Sequence, residues 1–179
     1  MKRYKFKWLG FLLGLMLYVS PIAFSQSVGS FDGHGEVGMD VKPGAASYDS
    51  EIQQYEVAGA GYNIWLDHDE FHFLWKKIKG DFIVYARGEF VGKGVELHRK
   101  FGWMARGSLD GKSAHVNTVV HGDGLTSLQF RRVAGEKTEE LRSTLTYADV
   151  IQLERKGNTY VMRVAKFGEP FVTEQVADL

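Results

Sequence analysis

Apolar and polar side chains alternate with period two through most of the chain after residue 26. The alternating runs are short and bounded by Gly, Asp and Asn, and no stretch carries a helical apolar stripe. These three observations predict an all-β fold, an antiparallel two-sheet sandwich of the jelly-roll type.

The most secure pair of elements lies near the end of the chain. Over 150–155, Ile151 and Leu153 share one side and Gln152 and Glu154 the other. Gly157-Asn158 follows as a two-residue hairpin signal, and alternation resumes over 159–165, with Tyr160, Met162 and Val164 opposed to Val161 and Arg163. In chain order, the other strand-like runs are 53–58, 70–78, 81–90, 101–107, 114–121, 125–132 and 170–176. Gly59-Ala60-Gly61, Gly80-Asp81, Gly92-Lys93-Gly94, Asp110-Gly111 and Gly122-Asp123-Gly124 punctuate them. The polar stretch 136–143 suits a loop or a helical turn.

The start of the chain has a different character. Lys2, Arg3, Lys5 and Lys7 precede an apolar run over 8–19, then Ser20-Pro21, with Ala23 and Ser25 at small-residue positions. This is the order of a secretory signal cleaved after Ser25, and the apolar run is short of the ~20 residues that span a bilayer. The expectation is a signal over 1–25 and one domain over 26–179, secreted or periplasmic and not held in a membrane. Residues 1–25 hold four Lys/Arg and no Asp/Glu, so 22 basic residues fall to 18 against 22 acidic, a net of −4. A mildly acidic chain lacks the concentrated basic face that nucleic acid requires. With no cysteine, disulfides, thiol catalysis, cysteine metal sites and lipid attachment are excluded.

Several motifs look like chemistry and fail on context. His68-Asp69-Glu70-Phe71-His72 has the His spacing of a zinc-protease helix, but it runs into the alternating Phe71, Phe73, Trp75. On a strand, positions i and i+4 stand ~13 Å apart, so this segment is expected to hold no zinc. Gly33-His34-Gly35-Glu36-Val37-Gly38 matches a dinucleotide fingerprint by letter, but it neither follows a strand nor opens a helix. Asp67, Asp69 and Glu70 are weak calcium candidates, since calcium takes several oxygen ligands. There is no nucleophile elbow, no phosphate loop and no tight run of alternating carboxylates, and Glu139-Glu140 would point apart on a strand. The expectation is a non-enzyme without a cofactor.

One constellation remains. Alternation sets His115, Asn117, Val119 and His121 on one side of 114–121, and Ser127, Gln129 and Arg131 on one side of 125–132. Met104 and Arg106 fall together on 101–107, and Tyr85, Arg87 and Glu89 on 81–90, each opposite an apolar side. Two readings stand side by side: an ordinary wetted outer face, or a ligand face. Planar hydrogen-bonding groups suit hydroxyl-rich ligands. Arg106, Asn117, Gln129, Arg131, Tyr85 and His115 are therefore the candidate ligand-binding residues. Trp75 and Trp103, alternating with Phe, are read as core.

The stretches Asn63-Ile64-Trp65-Leu66-Asp67-His68-Asp69-Glu70-Phe71-His72-Phe73, Gly80-Asp81-Phe82, Gly102-Trp103-Met104-Ala105-Arg106 and His121-Gly122-Asp123-Gly124 resemble the concanavalin A-like jelly-roll domains. The nearest group is the domain of unknown function 1349, together with the amino-terminal domain of exported Tol-type propeller proteins. The resemblance covers roughly residues 34–179. It implies a two-sheet sandwich with a carbohydrate-binding or accessory role, and it carries over no catalytic residues. It also implies closing strands beyond Leu179, so the chain reads as truncated at its carboxyl end. The expected function is a non-catalytic binding module for a glycan or similar hydroxyl-rich ligand. The alternatives are a scaffolding domain docked to a propeller or enzyme domain and, last, a glycoside hydrolase.

Overall fold

A computed structural model describes residues 27–39, 42–176 and 178–179. The signal segment 1–25 and its cleavage position lie outside these residues. Fourteen strands follow one another with no helix among the described residues: β1 Gly33–Val37, β2 Ala45–Asp49, β3 Gln54–Ala58, β4 Ile64–Trp65, β5 His68–Asp69, β6 Phe71–Trp75, β7 Phe82–Arg87, β8 Lys100–Arg106, β9 His115–His121, β10 Thr126–Arg131, β11 Glu139–Arg142, β12 Val150–Lys156, β13 Thr159–Ala165 and β14 Val172–Val176. No helix among them is long and apolar enough to cross a membrane.

Two four-stranded antiparallel sheets form the sandwich, one in the order β11-β10-β9-β8 and the other β14-β13-β12-β7. Alternation dictates what lies between them. Val116 and Val120 of β9 and Leu128 and Phe130 of β10 meet Ile151 and Leu153 of β12, Met162 and Val164 of β13, and Val176 of β14. Burying a side chain of this size contributes about 1.5–3 kcal/mol. Trp103 packs against this cluster as expected. The β12–β13 hairpin turns at Gly157-Asn158, pairing Lys156 with Thr159. Gly157 takes φ +59°, a left-handed conformation that glycine adopts without penalty.

One element differs from its sequence reading. The stretch expected as a loop or helical turn contains β11, which pairs with β10 through Glu140 opposite Gln129 and closes the sheet edge with Glu139, Glu140 and Arg142. The glycine-rich 33–38 segment, which by context opens no helix, contains β1, paired antiparallel with β6 over five positions. The hairpins β2–β3 and β4–β5 complete the amino-terminal part.

Candidate functional site

The register of β8, β9 and β10 decides which polar side chains meet. Arg106, His115 and Arg131 form one row across the sheet. Met104, Asn117 and Gln129 form the next, extended by Glu140 of β11. Lys100 and His121 stand at the far end. Arg106, His115, Asn117, Gln129 and Arg131 therefore share one sheet face, as the alternation predicts.

That face is not wet. His115 is 3 %, Asn117 0 %, Gln129 2 % and Arg131 1 % exposed. The segment 63–71 lies across it. Asn63 accepts a hydrogen bond from Lys100 Nζ, the Leu66 carbonyl and Asp69 meet Arg131, and the Arg106 guanidinium sits 5.2 Å over the Phe71 ring. β9 and β10 are consequently buried on both sides, one apolar and one polar.

One end of the polar layer is locked. Asp69, wholly buried, takes Arg131 in a bidentate pair, Nη2 to Oδ1 at 2.7 Å and Nη1 to Oδ2 at 3.0 Å. Arg131 donates further to the carbonyls of Leu66, Gly111, Ser113 and Glu136 and to Thr138 Oγ1. The guanidinium is saturated by the protein's own acceptors, so Arg131 is a structural tie and has no donor left for a ligand. Arg106 Nη1 reaches the same carboxylate at 3.4 Å, and burial pulls the Arg106 guanidinium below its ordinary range while Asp69 pulls it back.

The middle of the layer is the reverse. Both ring nitrogens of His115, both amide atoms of Asn117 and Oε1 of Gln129 are buried with no hydrogen-bond partner. His115 Nε2 is 3.8 Å from Asp69 Oδ1, beyond hydrogen-bond reach. Burial, then the charges of Arg131 and Arg106, push the His115 imidazole down to about 3, so it is neutral at any physiological pH. Gln129 Nε2 donates to Glu140 Oε1 at 2.9 Å. Burial pushes the Glu140 carboxyl up, but hydrogen bonds from Gln129 and Arg142 outweigh it and leave it below the ordinary value. At the far end burial lowers Lys100 and His121.

The remaining sequence candidates lie elsewhere. Tyr85 is on β7 in the other sheet, opposite Gln152 and 72 % exposed, so it cannot pack on a ligand at this face. The acidic trio does not converge. Asp69 is bound to Arg131, Asp67 Oδ1 pairs with His68 Nδ1 at 3.0 Å, and Glu70 Oε2 accepts from the Tyr62 amide. The calcium candidates are thus consumed by separate partners. His68 and His72 stand on β5 and β6 with different carboxylates, so the zinc-protease pairing does not form. Among the described residues no three His, Asp or Glu side chains gather to hold a metal ion.

Sequence reasoning missed Asp69, Lys100 and Glu140 as members of the layer. A lone Asp in a turn has no periodic signature, and Glu140 belongs to a strand read as a loop. No family model matches the chain, and no curated protein or solved structure matches it at a meaningful level of similarity.

Proposed function

We propose that this chain is a non-catalytic binding module for a small hydroxyl-rich ligand, a carbohydrate first of all, received on the polar face of β8–β10. The supporting observation is the set of partnerless atoms on His115, Asn117 and Gln129 in neighbouring register positions. Leaving a donor or acceptor buried and unpaired costs about 1–3 kcal/mol each, so such a group favours a guest that hydrogen-bonds. The set contains both donors and acceptors and no free charge. A sugar hydroxyl, which donates and accepts, matches it better than an anion or a cation. Entry belongs to the Lys100–His121 end, where the cover is tied by the Lys100–Asn63 bond, because the other end is shut by Arg131 and Asp69. The concanavalin A-like reading of the sandwich and export from the cytoplasm belong to the same proposal. Glycoside hydrolysis ranks lower, since it uses two carboxylates, and of those on this face Asp69 is held by Arg131.

Isothermal titration against a broad glycan panel tests this, with Asn117→Leu and Gln129→Met beside the wild type. The wild type should bind a panel member. Each variant should stay folded and lose several-fold in affinity or more, because a neutral hydrogen bond contributes about 0.5–1.5 kcal/mol. Equal binding by all three proteins would place the ligand elsewhere, and no binding by any would favour docking. That second reading has its own observation: Ile83 and Tyr85 of β7 are 61 % and 72 % exposed on the outer side of the second sheet, a surface suited to a neighbouring propeller or enzyme domain.

A further inference from the structure

The two-stranded β1–β6 sheet carries a second polar group, distinct from the face of β8–β10. β1 and β6 pair so that Glu36 stands opposite His72 and His34 opposite Leu74, which puts His34, Glu36 and His72 on one side of this sheet. His72 Nδ1 lies 2.7 Å from Glu36 Oε1, and His72 Nε2 lies 3.1 Å from His34 Nδ1. The carboxylate can only accept, so it fixes the His72 proton on Nδ1 and leaves the Nε2 lone pair aimed at His34.

We propose that His34 Nδ1 and His72 Nε2 are the two protein ligands of a site for a late first-row divalent ion of the copper, nickel or zinc class, with Glu36 as the positioning residue behind His72. Two imidazole nitrogens each about 2.1 Å from one ion, at angles between square and tetrahedral, stand ~3.0–3.4 Å apart. The observed separation falls inside that range, with ring centroids 5.2 Å apart. A ligating histidine that gives its other N–H to a carboxylate is the usual support of a metal site. With the His72 proton on Nδ1, His34 Nδ1–H donates to His72 Nε2. On binding, that proton moves to His34 Nε2, the His34 ring turns its Nδ1 lone pair to an ion held on the fixed His72 Nε2, and water fills the other positions. No net proton is lost.

Two further features favour a cation here. The His72 side chain is 2 % exposed and is gripped by close backbone: a Cβ on Gly44 would lie 2.6 Å from His72 Cγ, and one on Gly59 2.7 Å from His72 Cβ. The Gly44 amide also donates to Glu36 Oε1 at 2.6 Å, so β1 and the segments around Gly44 and Gly59 together fix one imidazole. Glu36 Oε2 is buried without a hydrogen-bond partner, which leaves negative charge beside the imidazole pair. The His68–His72 spacing plays no part, since His68 is half exposed beside Asp67.

The experiment is titration of the untagged protein with Cu(II), Ni(II) and Zn(II), followed by calorimetry and by the Cu(II) visible band, with far-ultraviolet circular dichroism as the folding control. One equivalent should bind, copper most tightly. His34→Gln and His72→Gln should each remove that equivalent, Glu36→Gln should weaken it about 10–100-fold, and His68→Gln should leave it unchanged. Among the described residues no glycine backbone crowds His34 as Gly44 and Gly59 crowd His72, so the His34 variant answers the question if His72→Gln unfolds. The proposal is overturned if no ion binds saturably, if one equivalent survives in His34→Gln, or if His68→Gln abolishes it.

Discussion

The strands β9 and β10 are buried on both sides, and the two sides solve burial differently. Toward the second sheet, Val116, Val120, Leu128 and Phe130 interdigitate with apolar partners and leave nothing unpaired. Toward the 63–71 cover, Arg131 is saturated by Asp69 and five other acceptors, whereas the ring nitrogens of His115 in the same row and the amide atoms of Asn117 in the next have no hydrogen-bond partner. Burial alone therefore does not separate a layer that is structurally complete from one that leaves polar atoms open to a partner. The degree to which the protein satisfies its own polar atoms does.

The sharpest way to break this contrast is Asp69→Ala. It strands the Arg131 charge beneath the cover and should cost about 3–5 kcal/mol, read from urea unfolding. A loss under 1 kcal/mol, on the order of a surface pair, would show that the tie is weak. On the apolar side, Leu128→Ala removes a side chain with 0 % exposure and should cost about 2–5 kcal/mol by the same measurement.

Acid titration separates the layers next. Because His115 is held down to about 3 when folded but takes up a proton near its ordinary 6.5 when unfolded, its contribution is fully present above 6.5 and is lost as pH falls toward 3. Between pH 6.5 and 5 the slope should approach about 1.4 kcal/mol per pH unit, and His115→Gln should flatten it. An unchanged slope in that variant would remove His115 as the cause. Smaller still, and opposite in sign, Asn117→Leu should raise stability by about 1–3 kcal/mol, since it deletes two unpaired atoms. A destabilised Asn117→Leu would mean that these atoms do have partners. Tyr85→Ser, on the exposed outer face, should stay within about 0.5 kcal/mol of the wild type in melting experiments.

Much of the sandwich was legible in the sequence, and for a physical reason. Period two reports which side chains share a side, so the Ile151/Leu153 and Met162/Val164 faces and the Gly157-Asn158 turn could be placed from local pattern alone. The same pattern put Asn117, Gln129 and Arg131 together. It could not say what covers a side, because the cover comes from residues near position 66, far away in the chain. The polar face thus read as an open platform when it is an enclosed layer. Tyr85 was grouped with it because alternation does not order strands within sheets. His34 and His72, 38 residues apart, meet only through the β1–β6 pairing, which no local signal announces.

Arg131 also bears on the order in which the protein folds and opens. It joins β10 to residues 66 and 69, to 111 and 113, and to 136 and 138, and its bond to Asp69 spans 62 positions. Closing a chain loop of that length is slow relative to forming a hairpin such as β12–β13, so the 63–71 segment docks after the local hairpins have formed. Amide exchange should accordingly show two classes. Asp69 and Thr138, whose amides bond the carbonyls of Gly111 and Leu66, should exchange together when the tie releases, while those between β12 and β13 wait for global unfolding.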